Sequence, residues 1–197
     1  PRLVRPAPAE PELQALSSAL SPDLRLGTMS WSFAGWRGSV YAQDAEAKWL
    51  ADAGLRAYCQ HPLLRSVEID RSFYEPLPER YFAESASQVG TDFRFLVKAH
   101  EDCTLVRFPR QQRYGNKQGQ PNPRFLDAEY AADAVVGPSA SGLAGKLGVI
   151  LFQFPPQDAG HPSAFAQRLQ GFLERLPRGV PYAVELRNAE LLTPAYA

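Results

Sequence analysis

Four apolar runs in this chain each carry a polar or ionisable side chain near the C-terminal end. Residues 66–70 hold Glu68 and Asp70, residues 93–100 hold Lys98, residues 149–154 hold Gln153, and residues 182–187 hold Glu185 and Arg187. Ionisable groups are costly to bury unless they are paired or hydrogen-bonded. Their recurrence at one end of strand-like runs points to a polar site built on a barrel or an open α/β sheet. A carboxylate beside a lysine or arginine can act as a general base while the cation holds an anionic substrate or intermediate. Glu68, Lys98 and Glu185 are therefore the candidate catalytic set. Asp70, Gln153 and Arg187 are candidate substrate-binding residues, Arg187 because a guanidinium grips carboxylate or phosphate through two parallel hydrogen bonds. Trp31 and Tyr74 complete that group. They belong to an aromatic set, with Phe33, Trp36 and Phe73, able to wall a pocket and stack on a sugar or a base.

Each assignment has a structural counterpart. The charges can form an ion-pair network that fills and orders a barrel without catalysis. The aromatics can pack beneath loops, Asp70 can cap the turn before Ser72, and Arg187 can simply partner Glu185 or Glu68. Metal chemistry has little support, because His61, His100 and His161 form no HxxxH or HxH pair. A hard cation on Glu68, Asp70 and Glu185 is the remaining metal reading. No GxGxxG or GxxxxGK[ST] loop is present. The expectation is no metal and no cofactor.

The elements that must position these residues are legible from periodicity. Strands are predicted at 24–30, 66–70, 93–99, 147–154 and 182–186. Helices are predicted at 44–53, 79–88, 127–136 (stopped by Gly137-Pro138) and 162–176. Strands alternating with helices imply parallel βαβ units, and five are visible. Successive strand residues face opposite ways, so Val67 and Ile69 oppose Glu68 and Asp70, and Val184 and Leu186 oppose Glu185 and Arg187. The consistent arrangement turns apolar sets toward surrounding helices and polar sets into a central cavity. Five prolines within residues 1–22 mark a loosely packed N-terminal extension, residues 1–23, ahead of a barrel-like domain over 24–197. The polar stretch 109–123 reads as a mobile loop or an insertion.

With 197 residues, 45% hydrophobic and 21% charged, the chain can bury one sizeable core. Its 21 basic and 21 acidic residues balance, which argues against a strong electrostatic footprint for nucleic acid or anionic membrane, though a local patch is compatible with a neutral total. Cys59 and Cys103 form no metal or redox spacing, which fits a reducing, cytoplasmic location and leaves one disulfide open. No run approaches the length of a spanning helix, so no membrane partner is expected. The start on Pro1 reads as a processed or excerpted product.

Five segments together resemble the DUF72 (YecE-like) family: Gly27-Thr28-Met29-Ser30-Trp31-Ser32-Phe33 with Trp36-Arg37-Gly38; Val67-Glu68-Ile69-Asp70-Arg71-Ser72-Phe73-Tyr74; Phe95-Leu96-Val97-Lys98-Ala99; Leu147-Gly148 to Pro156; and Tyr182 to Asn188. The resemblance covers roughly residues 24–190. It implies a TIM-barrel-like (β/α) fold with about five of eight βα units in this chain, and it carries no reaction. Three functions stand open. The first is a metal-independent barrel enzyme acting on a small polar or anionic substrate. The second is a nucleic-acid-binding or phosphodiester-cleaving barrel, motivated by the loop aromatics and by Arg107, Arg110, Arg113, Lys117 and Arg124. The third is a non-catalytic scaffold or incomplete fragment whose strand edges favour aggregation or dimerisation.

Overall fold

The computed structural model of the chain describes residues 3–194 and 196. Helix α1 (Pro11–Ala19) precedes β1 (Leu26–Thr28), α2 (Ala47–Ala53) and α3 (Leu55–Tyr58). Then come β2 (Leu64–Ile69), α4 (Arg71–Tyr74), α5 (Glu79–Ala86) and β3 (Arg94–Lys98). The second half holds α6 (Ala128–Ala131), α7 (Gly137–Leu143), β4 (Leu147–Phe154), α8 (Pro162–Arg175) and β5 (Tyr182–Leu186). The strands form one sheet in the order β1-β2-β3-β4-β5, and every neighbouring pair is parallel. Helical crossovers between adjacent parallel strands, curling one way, build the wall of a half-barrel.

The strand faces divide as their parity requires. Val67, Ile69, Phe95, Val97, Ile150, Phe152 and Phe154 are buried. They pack outward onto a helix layer that includes Phe82, Phe165, Leu169 and Phe172, all in one core cluster. Edge-to-face ring pairs lock this layer: Phe152 on Phe172 at 5.0 Å and Phe154 on Phe165 at 5.5 Å. The alternate residues Glu68, Leu96, Val149, Leu151 and Gln153 lie on the inner face and stay partly exposed. Register aligns the polar ends, with Glu68 beside Leu96, Lys98 beside Leu151 and Gln153 beside Glu185.

Three local expectations change. The Gly137-Pro138 pair does not stop its helix. A π-helical turn over Ala132–Val136 joins α6 to α7, with the Gly137 N–H donating to the Ala132 carbonyl. This wider turn accommodates Pro138, which has no N–H to donate and clashes inside an α-helical ladder. The N-terminal segment is only partly loose. Helix α1 has no buried residue, but Val4 is buried, and backbone bonds tie Ala7 to Val40 and Arg5 to Ala42, each at 2.9 Å. The stretch 109–123 is fastened at both its base and its far end. Phe108 and Gly119–Gln120 exchange backbone bonds of 3.0 and 2.9 Å, and the Asn122 amide donates to the carbonyls of Asp102 and Leu105 at 2.8 and 2.6 Å. Among the described residues no helix is long and apolar enough to cross a membrane.

Candidate active site

Lys98 is the hub. It ends β3, its side chain is 10% exposed, and Nζ donates to Asp70 Oδ1 at 2.9 Å. Glu68 Oε1 stands further off, at 3.8 Å from the same Nζ. The Phe73 ring lies 4.7 Å from the ammonium, a cation–π contact strengthened where water is excluded. The turn after β2 holds this geometry: Ser72 Oγ is 2.7 Å from the Ile69 carbonyl and 2.6 Å from that of Lys98, tying the ends of β2 and β3 together.

Because the short contact goes to Asp70, Glu68 is left under-compensated. Its Oε1 is buried with no hydrogen-bond partner. Burial pushes the Glu68 carboxyl up to about 7, against the pull of Lys98 and helped by the nearby Asp70 and Glu185 carboxylates. Desolvation and like charge both favour the neutral acid. Glu68 also lines a cavity of about 370 Å³ on the inner face, together with Gly27, Met29, Ser66 and Leu96.

Glu185 behaves in the opposite way. Burial pushes its carboxyl up, but hydrogen bonds from Gln153 Nε2 (2.7 Å) and Arg187 Nε (2.8 Å) outweigh it and hold Glu185 below the usual carboxylate range. Glu68, Lys98 and Asp70 thus form one group, and Glu185, Gln153 and Arg187 an adjoining one at the same sheet end. Among the described residues no three His, Cys, Asp or Glu side chains come together as a metal-binding group; Glu68, Asp70 and Glu185 do not make one.

The aromatics separate. Trp31 is buried in the core, and its indole N–H donates to the Ala51 carbonyl at 3.2 Å. That places it beneath the β1 loop rather than on the cavity wall. Tyr74 is 57% exposed at the rim, in edge contact with Phe73 at 5.2 Å.

A second cluster, which the strand pattern did not disclose, follows β3. Glu101 and Asp102 are buried in a short 3-10 turn (Glu101–Cys103), and each holds an arginine. Arg113 Nη2 donates to Glu101 Oε2 at 2.6 Å, and Arg124 Nη1 to Asp102 Oδ2 at 3.1 Å. Burial pushes Glu101 upward while hydrogen bonds from Tyr114 and Arg113 oppose it. The Tyr114 hydroxyl, 2.8 Å from Glu101 Oε2, is pushed up to about 12, first by burial and then by that carboxylate. His100 Nδ1 lies 2.8 Å from the Tyr130 hydroxyl; burial lowers the imidazole while Asp102 pulls it back. The available signal was two consecutive acids directly after a predicted strand, at the end where barrel sites sit.

A parallel half-barrel with an acid–base cluster at its strand ends defines a (β/α)-barrel-type chain with a polar site. Residues 25–197 match the family described as "Protein of unknown function DUF72", and the chain belongs to that family. Among solved structures it is similar to two crystal structures of a DUF72 family protein of Enterococcus faecalis. One is 23% identical with TM-score 0.60, over 87% of this chain and 54% of that one. The other is 22% identical with TM-score 0.54, over 87% and 55%. A DUF72 family protein of Thermotoga maritima is 20% identical with TM-score 0.52, over 86% of this chain and 58% of that one. The chain therefore spans a little over half the length of these structural relatives. No curated protein matches it.

Proposed function

We propose that this chain carries the acid–base centre of a barrel enzyme that acts on a small polar or anionic substrate without needing a metal. The observation that supports it is Glu68: a buried carboxyl oxygen with no partner, lining a cavity, on a group pushed up to about 7. An acid–base catalyst works best with its pKa near the working pH. Two nearby carboxyls whose environments drive their pKa values apart divide the roles between them. Glu68 exchanges the proton; Glu185, kept ionised by Gln153 and Arg187, fixes charge at the site. Lys98 and Arg187 supply the positive field for an anionic substrate or intermediate.

The nucleic-acid reading draws less support. Arg113 and Arg124 are engaged by Glu101 and Asp102, and the Arg107 guanidinium donates to the Gly119 carbonyl. Much of the basic charge on this loop therefore holds the loop itself.

A thermal-shift panel of phosphosugars, sugar acids and short oligonucleotides tests the proposal, run on the wild type and on Glu68→Gln and Glu185→Gln. A ligand at about 100 times its Kd adds roughly 2.7 kcal/mol of stability. The expected result is a hit among the small anions, weakened in Glu185→Gln. Hits confined to oligonucleotides and abolished by salt contradict it.

A further inference from the structure

The loop after β3 brings an arginine to the rim of the site in an unusual state of readiness. Arg113 is 41% exposed, and its bonds to Glu101 and to the Tyr114 hydroxyl both run through Nη2. Among the described residues Nε and Nη1 have no hydrogen-bond partner, so one edge of the guanidinium is pinned and the other is open. A guanidinium oriented by a carboxylate on one edge presents its remaining donors in a fixed fork suited to carboxylate or phosphate. The same group is flanked by two rings, Tyr114 at 4.5 Å and Tyr74 at 5.3 Å from its central carbon.

Tyr74 connects this fork to the acid–base centre. Its ring contacts Arg113 and, at 5.2 Å between centroids, Phe73, and Phe73 lies 4.7 Å from Lys98 Nζ. Three short contacts therefore link the two cations across aromatic surface. Tyr74 is among the more exposed large apolar side chains of the described residues, at 57%. A half-exposed ring beside an open guanidinium edge, with Phe73 between it and the Lys98 ammonium, is a surface for a planar or sugar ring whose tail is anionic.

We propose that Arg113 and Tyr74 are the specificity-determining residues of this site and select a small ring-bearing organic anion. The anionic tail lies on the open edge of Arg113, the ring packs on Tyr74, and the reacting end reaches Glu68 and Lys98. Glu101 is a positioning residue that aims the guanidinium. The inference rests on the acid–base reading above and names its substrate class.

Phenyl phosphate is the probe, with inorganic phosphate, phenol and a short single-stranded oligonucleotide as comparators. Affinities are measured by NMR titration at low salt, with a melting curve for every variant. The wild type is expected to bind phenyl phosphate more tightly than either inorganic phosphate or phenol. Arg113→Gln is expected to weaken phenyl phosphate by about tenfold or more. Tyr74→Ala, at an exposed position where the fold is not at risk, is expected to weaken it by about three- to tenfold and to leave inorganic phosphate unchanged. Each of the following overturns the inference: no binding to the wild type at millimolar concentration, unchanged binding in both variants, or an oligonucleotide bound far more tightly through Arg113. Binding lost in Lys98→Met but kept in Arg113→Gln seats the anion on Lys98. That result overturns the clamp and leaves the acid–base reading intact, since the titration of Glu68 tests that reading separately.

Discussion

Lys98→Met is expected to destabilise the fold by about 2–4 kcal/mol and to move the Glu68 pKa above its already raised value. Methionine keeps most of the lysine stem's volume, so the change is mainly electrostatic. Breaking a buried ion pair by removing one partner costs about 3–5 kcal/mol, because the other charge is left buried. The lower figure applies because Asp70, the partner at 2.9 Å, is 30% exposed and regains water, and because Glu68 can escape the penalty by taking up a proton. Lys98 is the main influence holding the Glu68 pKa down, so its loss leaves burial, Asp70 and Glu185 unopposed. Urea unfolding at two pH values reads the first effect, and an NMR titration the second. A variant as stable as the wild type, with Glu68 unmoved, would show that Lys98 is filler at the barrel wall.

Phe152→Ala is expected to cost about 3–5 kcal/mol, as large aromatic truncations in packed cores do. Phe152 is fully buried on β4, between β3 and β5. Its ring meets Phe172 edge-on at 5.0 Å and Tyr182 at 6.1 Å, so truncation removes ring contacts to both α8 and β5. Domains of this size have roughly 5–15 kcal/mol of stability in total, so the loss is a large fraction of it. The same strand offers an internal comparison: Gln153 lies on the inner face and donates to Glu185 at 2.7 Å, so the effect of Gln153→Ala is expected to fall on Glu185 rather than on packing. A loss below about 1 kcal/mol for Phe152→Ala, by urea unfolding, would mean the helix layer is not packed as described.

The alternation of Val67, Glu68, Ile69 and Asp70 was enough to place β2, its buried face and its charged face, because a period of two is a local property of the chain. The same holds for Phe152, Gln153 and Phe154. Residues 24–30 contributed only three residues of strand, because the chain joins the sheet at Leu26 and leaves it after Thr28, where the Thr28 hydroxyl donates to the Ser30 carbonyl at 2.8 Å. Gly137-Pro138 misleads as a stop signal because a π turn can absorb a proline, and that depends on how the helix packs. Trp31 shows the limit for single residues. Its type fits a pocket wall or a buried anchor equally well, and only the Ala51 carbonyl, twenty residues on, decides. The Glu101–Arg113 and Asp102–Arg124 pairs join residues 12 and 22 apart through an irregular loop, where no periodicity marks which charges meet.

Glu68 is expected to exchange its proton near neutrality. The sign of the linked stability follows from its direction of shift. A carboxyl at about 7 in the folded chain and 4.5 as the ordinary value holds its proton more tightly when folded. Its contribution is fully present below pH 4.5 and is lost as pH rises to about 7. Over that interval the wild type is expected to lose roughly 3 kcal/mol relative to Glu68→Gln. Glu185, shifted downward, contributes in the opposite sense, as stability lost on acidification. The most direct measurement is a carbon-13 NMR titration of the glutamate carboxyls, with Glu68 assigned by its absence in Glu68→Gln. A midpoint near 7 is the result expected; a midpoint near 4.5 would contradict the account, leaving Glu68 an ordinary ionised partner of Lys98.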